Sequence, residues 1–169
     1  MLRRMWLAAR LDSAFYERVE ADTTLTREAF FVVLLASLFA GAGTAAAYPD
    51  ATVLGFLTGV VATLLAWVAW SGITLFIGTR FTRGSETQSD LGEMLRVLGY
   101  AHSPQILIVL VFIPGIGDLI ALAAALWSLI AGVIAIRQAL DFSTGRAVIT
   151  VGFGWLVVVA LRGLLQLLL

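Results

Sequence analysis

Five unbroken runs of apolar residues divide the chain, at 29–47, 53–77, 94–113, 119–136 and 147–169. Each is close to the roughly 20 residues that an α-helix needs to cross a hydrocarbon core. None shows the residue-by-residue alternation of a membrane barrel strand. The pattern predicts an all-α integral membrane bundle of five transmembrane helices. Residues 1–28 precede it as a separate segment, so the chain divides into 1–28 and 29–169. In that segment Leu2, Met5, Trp6, Ala9, Leu11, Phe15 and Val19 can share one broad side of a helix. Arg3, Arg4, Arg10, Asp12, Glu17 and Arg18 fill the remainder. This spacing predicts an N-terminal amphipathic helix, lying in the membrane interface or packed on the protein's own inner loops.

The polar intervals set the connections. Residues 48–52 carry Pro49 and Asp50, and 114–118 read Pro-Gly-Ile-Gly-Asp. Breakers this short force the flanking helices antiparallel, so the first and second spans form one hairpin and the third and fourth another. Asp90 and Glu93 have the spacing of a capping box for the third span, and Ser143 or Thr144 can cap the last. Arginine sets the orientation. Arg3, Arg4, Arg10, Arg18, Arg27, Arg80, Arg83, Arg137 and Arg146 fall on one side, and none falls in 48–52 or 114–118. The N-terminus is therefore expected in the cytoplasm and the C-terminus outside. Arg162 is the exception, within the outer part of the last span.

Composition narrows the function. Of 169 residues 60% are hydrophobic and 13% charged, against roughly 25% charged in a soluble domain; mean hydropathy is +0.98. There is no Cys and one His. No disulfide, thiolate or multi-histidine metal site can be built from these, and no metal or cofactor is expected. A net charge of zero disfavours nucleic acid as a partner. No GxSxG, HExxH, phosphate loop or GxGxxG is present, and no enzymatic activity is expected.

Three groups of residues remain as candidates. Tyr100, His102, Ser103, Pro104 and Gln105 form a polar cluster inside the third span. Pro104 has no N–H, so the Tyr100 carbonyl loses its helical partner and the helix should kink. The cluster either lines a functional cavity or satisfies the broken ladder. Gly55 and Gly59, with Thr58 and Ala62, form a GxxxG strip on the second span that admits another helix at close range, from this chain or a partner. Gly41, Gly43, Gly152 and Gly154 are further points of close approach. Asp118 suits the start of the fourth span as a cap, or as a charge partner for Arg162. The pattern suggests a scaffold or accessory subunit that binds membrane lipids, other membrane proteins or further copies of itself. The alternative is a small channel or transporter using the broken third span.

The chain also resembles the Yip family, named for Ypt/Rab-interacting proteins. Gly99-Tyr100-Ala101-His102-Ser103-Pro104 is similar to that family's Gly-Tyr-x-x-x-Pro motif, and Ile113-Pro114-Gly115-Ile116-Gly117 to its turn into the fourth span. Arg137 to Ala147 resembles the fourth loop, and Phe15 to Asp22 the approach to the first span in short prokaryotic members. The resemblance implies a five-span membrane domain with a cytoplasmic N-terminus, placed in the inner membrane if the source is prokaryotic. Rab-type GTPase binding is not carried over, because relatives use a long N-terminal region where this chain has 28 residues.

Overall fold

The computed structural model describes residues 1–48, 50–80 and 89–168, apart from the side chains at 158, 159 and 161–168. Among these described residues seven α-helices run α1 Leu2–Ala9, α2 Ser13–Ala21, α3 Thr26–Ala47, α4 Val53–Arg80, α5 Leu91–Ala101, α6 Gly117–Ala139 and α7 Thr144–Leu168. Among the described residues four apolar segments are long enough to cross a membrane: Thr23–Ala47, Val53–Arg80, Leu91–Phe112 and Gly117–Ala139. The fifth predicted span falls in α7, whose stretch Thr144–Val157 is apolar and shorter.

The third span is the centre of the bundle. Half of its most apolar stretch is buried, against 22–33% in the other three. α3, α4 and α6 pack around it, and α7 closes the outside against α4 and α6. The expected hairpins α3–α4 and α5–α6 are both present. Gly115, at φ +82°, turns the chain into α6, a conformation that a side chain would strain. The capping box forms as expected: Glu93 N–H donates to Asp90 Oδ1 at 2.9 Å, and Asp90 N–H to Glu93 Oε2 at 3.3 Å.

The third span does more than kink. α5 ends at Ala101, and Ser103–Phe112 continues as a 3-10 helix of ten residues. At about 2.0 Å rise per residue against 1.5 Å, the tighter coil carries these residues roughly 5 Å further than an α-helix would. α3 follows it closely, backbone against backbone: a Cβ on Gly43 would stand 2.5 Å from the Ile108 carbonyl oxygen, and one on Gly99 2.8 Å from the Ala29 Cβ.

The N-terminal segment corrects the expected single helix. α1 and α2 are separated by Leu11, at φ +63°. Leu11 N–H donates to Ala8 O and Asp12 N–H to Leu7 O, the double closure of a Schellman motif with leucine where glycine is usual. Asp12 then caps α2, accepting from Phe15 N–H at 2.9 Å. Capping by Asp12 ends one helix and starts the next, and the apolar residues of the two halves no longer share one face. Met5 and Ala8 of α1, and Phe15, Tyr16 and Val19 of α2, are buried against the bundle. Leu2 and Trp6 remain 73% and 61% exposed. α6 ends in the same motif, with Asp141 (φ +50°) at the turn and Phe142 N–H reaching Arg137 O.

Candidate functional site

The polar cluster of the third span divides between two environments. On the arginine-rich side, Tyr100 Oη donates to Glu28 Oε1 at 2.7 Å. Glu28 Oε2 accepts from Arg4 Nη1 at 2.5 Å, and the N-terminal amine lies 3.4 Å from Oε1. One carboxylate at the start of α3 thus ties α1 to the central span. Four residues earlier than Tyr100, Arg96 is buried. Its Nε donates to Val19 O at 3.1 Å, and its Nη2 to Glu20 O. These carbonyls end α2, where a cation meets the negative pole of the helix. Arg96 gave a topological signal in the sequence; its capping role did not show, because the two carbonyls it caps lie more than 70 positions away and are main-chain atoms.

Glu20 sits beside this contact, with Oε2 buried and without a hydrogen-bond partner among the described residues. Its carboxyl is pushed up to about 7, first by burial, then by Asp141, Glu93 and Glu17, with Arg96 opposing. Asp22 goes the other way. Its carboxylate is held below its usual value by the Thr24 hydroxyl and amide, at 2.6 and 3.0 Å. Burial pushes the Tyr16 phenol up.

Deeper in the bundle, the helical break is repaired locally. Ser103 Oγ donates to the Tyr100 carbonyl at 2.6 Å, the group that Pro104 leaves without a helical donor. His102 Nδ1 lies 2.8 Å from Leu98 O. A carbonyl only accepts, so Nδ1 carries the proton and donates. The His102 ring meets Trp70 edge to face at 5.9 Å.

His102 and Gln105 line a cavity of about 170 Å³ together with α4, α6 and α7. Thr63, Trp67, Trp70, Ser128 and Trp155 contribute to the same wall. Small residues make room for the largest ring. A Cβ on Gly132 would meet the Trp70 ring at 3.0 Å, and one on Gly154 would meet it at 3.3 Å. The Trp67 ring lines the cavity with its N–H already used, donating to Leu95 O at 3.2 Å. Among the described residues Trp70 Nε1 and Ser128 Oγ have no hydrogen-bond partner. Sequence reasoning did not find Trp70 and Ser128 as members of this site, since they join it only through the packing of α4 and α6 on the third span.

The GxxxG strip faces away from all this. Gly55, Thr58, Gly59 and Ala62 are exposed, and nothing lies within 4 Å of a Cβ placed on Gly59. α4 enters the bundle by its other side, through Val60, Trp67, Trp70, Ser71, Thr74 and Gly78. Close contacts within the chain use Gly41, Gly43 and Gly154 instead; Gly152 meets nothing within 4 Å. Asp118 is exposed in the first turn of α6, where its charge suits the helix dipole, and no side chain caps that helix. The Arg162 side chain lies outside the described residues. Among the described residues no group of three or more His, Asp or Glu could hold a metal ion.

The Yip1 domain family matches residues 10–165 of the chain. No curated protein and no solved structure matches it.

Proposed function

This chain belongs to the Yip1 domain family, and on that premise we propose that it is a non-enzymatic scaffold or accessory subunit of the membrane. The observation that supports this reading is the strip Gly55, Thr58, Gly59 and Ala62 on α4, exposed and with open space over Gly59. In lipid, helix association depends on close backbone approach, and small residues at this spacing permit it. Leu54, Leu57, Val61 and Leu65 flank the strip and are exposed as well, so a partner helix would find apolar ridges on either side. The arginine-rich end, with α1, is the cytoplasmic end in this reading. Leu2 and Trp6 of α1 meet lipid at that surface, while Met5 and Ala8 hold the helix to the bundle.

The test is to purify the chain and Gly59→Leu from the native membrane in mild detergent and weigh the complexes by native mass spectrometry. A Cβ at Gly59 meets nothing within 4 Å, so the fold should tolerate the leucine while the associated subunit, or second copy, is lost. A parent that is strictly monomeric with no co-purifying protein or lipid overturns the reading. The rival reading, a channel or transporter, would need the cavity at His102 and Gln105 to reach both ends of the bundle. Its lining on α4 covers only Thr63 to Trp70, about two turns.

A further inference from the structure

A basic cleft opens between α1 and α2 at the arginine-rich end of the bundle. Its volume is about 550 Å³, within the ~300–1,000 Å³ of clefts that hold small ligands. Arg3 and Arg4 of α1 and Arg18 of α2 line it. The turn at Leu11 brings the two helices side by side, so arginines from both face one space.

These three charges are not equally engaged. Arg4 answers Glu28 at 2.5 Å. Arg3 and Arg18 are exposed, and among the described residues neither side chain has an ion-pair or hydrogen-bond partner. Asp22 stands on the same wall, but its carboxylate is held by the Thr24 hydroxyl and amide at 2.6 and 3.0 Å. Two guanidiniums that share a cleft without a counter-ion repel each other, and one anion between them reverses the sign of that energy. The planar fork of arginine matches the oxygens of a phosphate.

The place of the cleft decides which phosphate. Glu28 directly precedes the apolar run 29–47, and Arg4 pairs with it, so α1 lies level with the start of the first span. That is the depth of lipid headgroups. The far end of α1 rests on α6, where Trp127 Nε1 donates to Ala9 O at 2.7 Å, an indole placed as at a membrane interface. Met1 and Leu7 give the cleft an apolar side, and Leu2 and Trp6 on the same helix are exposed. A free anion gains nothing from apolar surface; an amphiphile with a charged head and hydrocarbon tails satisfies both. We propose that this cleft binds the phosphate head of an anionic phospholipid between Arg3 and Arg18, with the acyl chains in the membrane beside α1. The site adds to the scaffold reading and stands apart from the strip on α4.

The full-length chain, freed of lipid in mild detergent, tests this. Phosphatidylglycerol is titrated in, bound lipid is counted by native mass spectrometry, and the thermal midpoint is followed, which a ligand of the folded state raises. One lipid should be retained per chain, saturably. Phosphatidylcholine with the same acyl chains, which carries a phosphate but no net charge, should bind several-fold more weakly, and inorganic phosphate should leave the midpoint unmoved. Arg3→Gln and Arg18→Gln should keep the parent's midpoint without lipid, since neither side chain is engaged in the fold. Each should shift the titration to roughly 5-fold higher phosphatidylglycerol, the worth of one cation beside an anionic lipid. Arg10→Gln, at the end of the same helix, exposed and outside the cleft, should not shift it. Gly59→Leu is titrated as well, so that loss of a partner helix and loss of the lipid are separate results. Titrations unchanged in Arg3→Gln and Arg18→Gln would overturn the proposal. So would an equal shift in Arg10→Gln, which would assign binding to diffuse surface charge. An equal response to phosphatidylcholine would assign it to the acyl chains, and an equal response to inorganic phosphate would make the cleft a free-anion site; either overturns it too.

Discussion

Tyr100 holds Glu28 by a hydrogen bond of 2.7 Å that joins the middle of the third span to the first turn of α3. The same carboxylate receives Arg4 and the N-terminal amine. The family's motif tyrosine is thus a structural tie here, and it faces away from the cavity lined by His102 and Gln105.

Tyr100→Phe should cost about 1.5–3 kcal/mol, the usual worth of a hydrogen bond to a charged group. The loss should appear as faster amide exchange in α1 and the start of α3. Glu28→Gln should cost a similar amount, and the double variant clearly less than the two together, since they share one bond. Strict additivity would show that the two side chains act independently.

Arg96→Met should free α2 while the spans stay assembled. Its guanidinium bridges the carbonyls of Val19 and Glu20, and without it these acceptors are left uncapped. Limited proteolysis should then cut before Thr26 in the variant and spare the parent. Arg96→Lys should restore only part of the protection, because one ammonium cannot match the forked donor geometry. Full rescue by lysine would reduce the role to charge alone.

The docking of α2 should depend on pH in a set direction. Glu20 titrates near 7 in the fold, against 4.5 for an ordinary glutamate. Its folded value is the higher one, so its contribution to stability is fully present below 4.5 and is lost as pH rises to about 7. Exchange of the α2 amides, corrected for intrinsic rate, should speed up across that window. In Glu20→Gln the profile should be flat there; a profile that persists belongs to another group.

Gly43 and Gly152 should respond oppositely to alanine. At Gly43 the new Cβ would fall 2.5 Å from the Ile108 carbonyl oxygen, so α3 and the third span must separate. The expected cost is about 1–3 kcal/mol. At Gly152 the Cβ meets nothing within 4 Å, and alanine should stabilise α7 by up to ~1 kcal/mol through its helix propensity. Thermal midpoints in one detergent decide it; equal shifts would place the α3 crossing elsewhere.

Apolar run length, the capping box at Asp90 and Glu93 and the break at Pro104 are local facts, written in neighbouring residues. They therefore determined the all-helical membrane architecture, the hairpins and the point where the third span fails as an α-helix. Even the division of the N-terminal helix was present locally, in Asp12 placed to cap Ser13 and the residues after it. The broad apolar pattern from Leu2 to Val19 masked it. What only the tertiary structure decided depends on which faces meet. Gly43 and Gly99, which lie outside GxxxG, mark the tight crossings with the third span. The Gly55–Gly59 strip is left outward because α4 commits its aromatic side to the core. Arg96 caps a helix more than 70 residues away, and Trp70 and Ser128 join His102 around one cavity. Spacing along a helix says which residues share a face; it carries no information about which neighbour that face will touch, because packing partners are chosen by shape and hydrogen-bonding across distant parts of the chain.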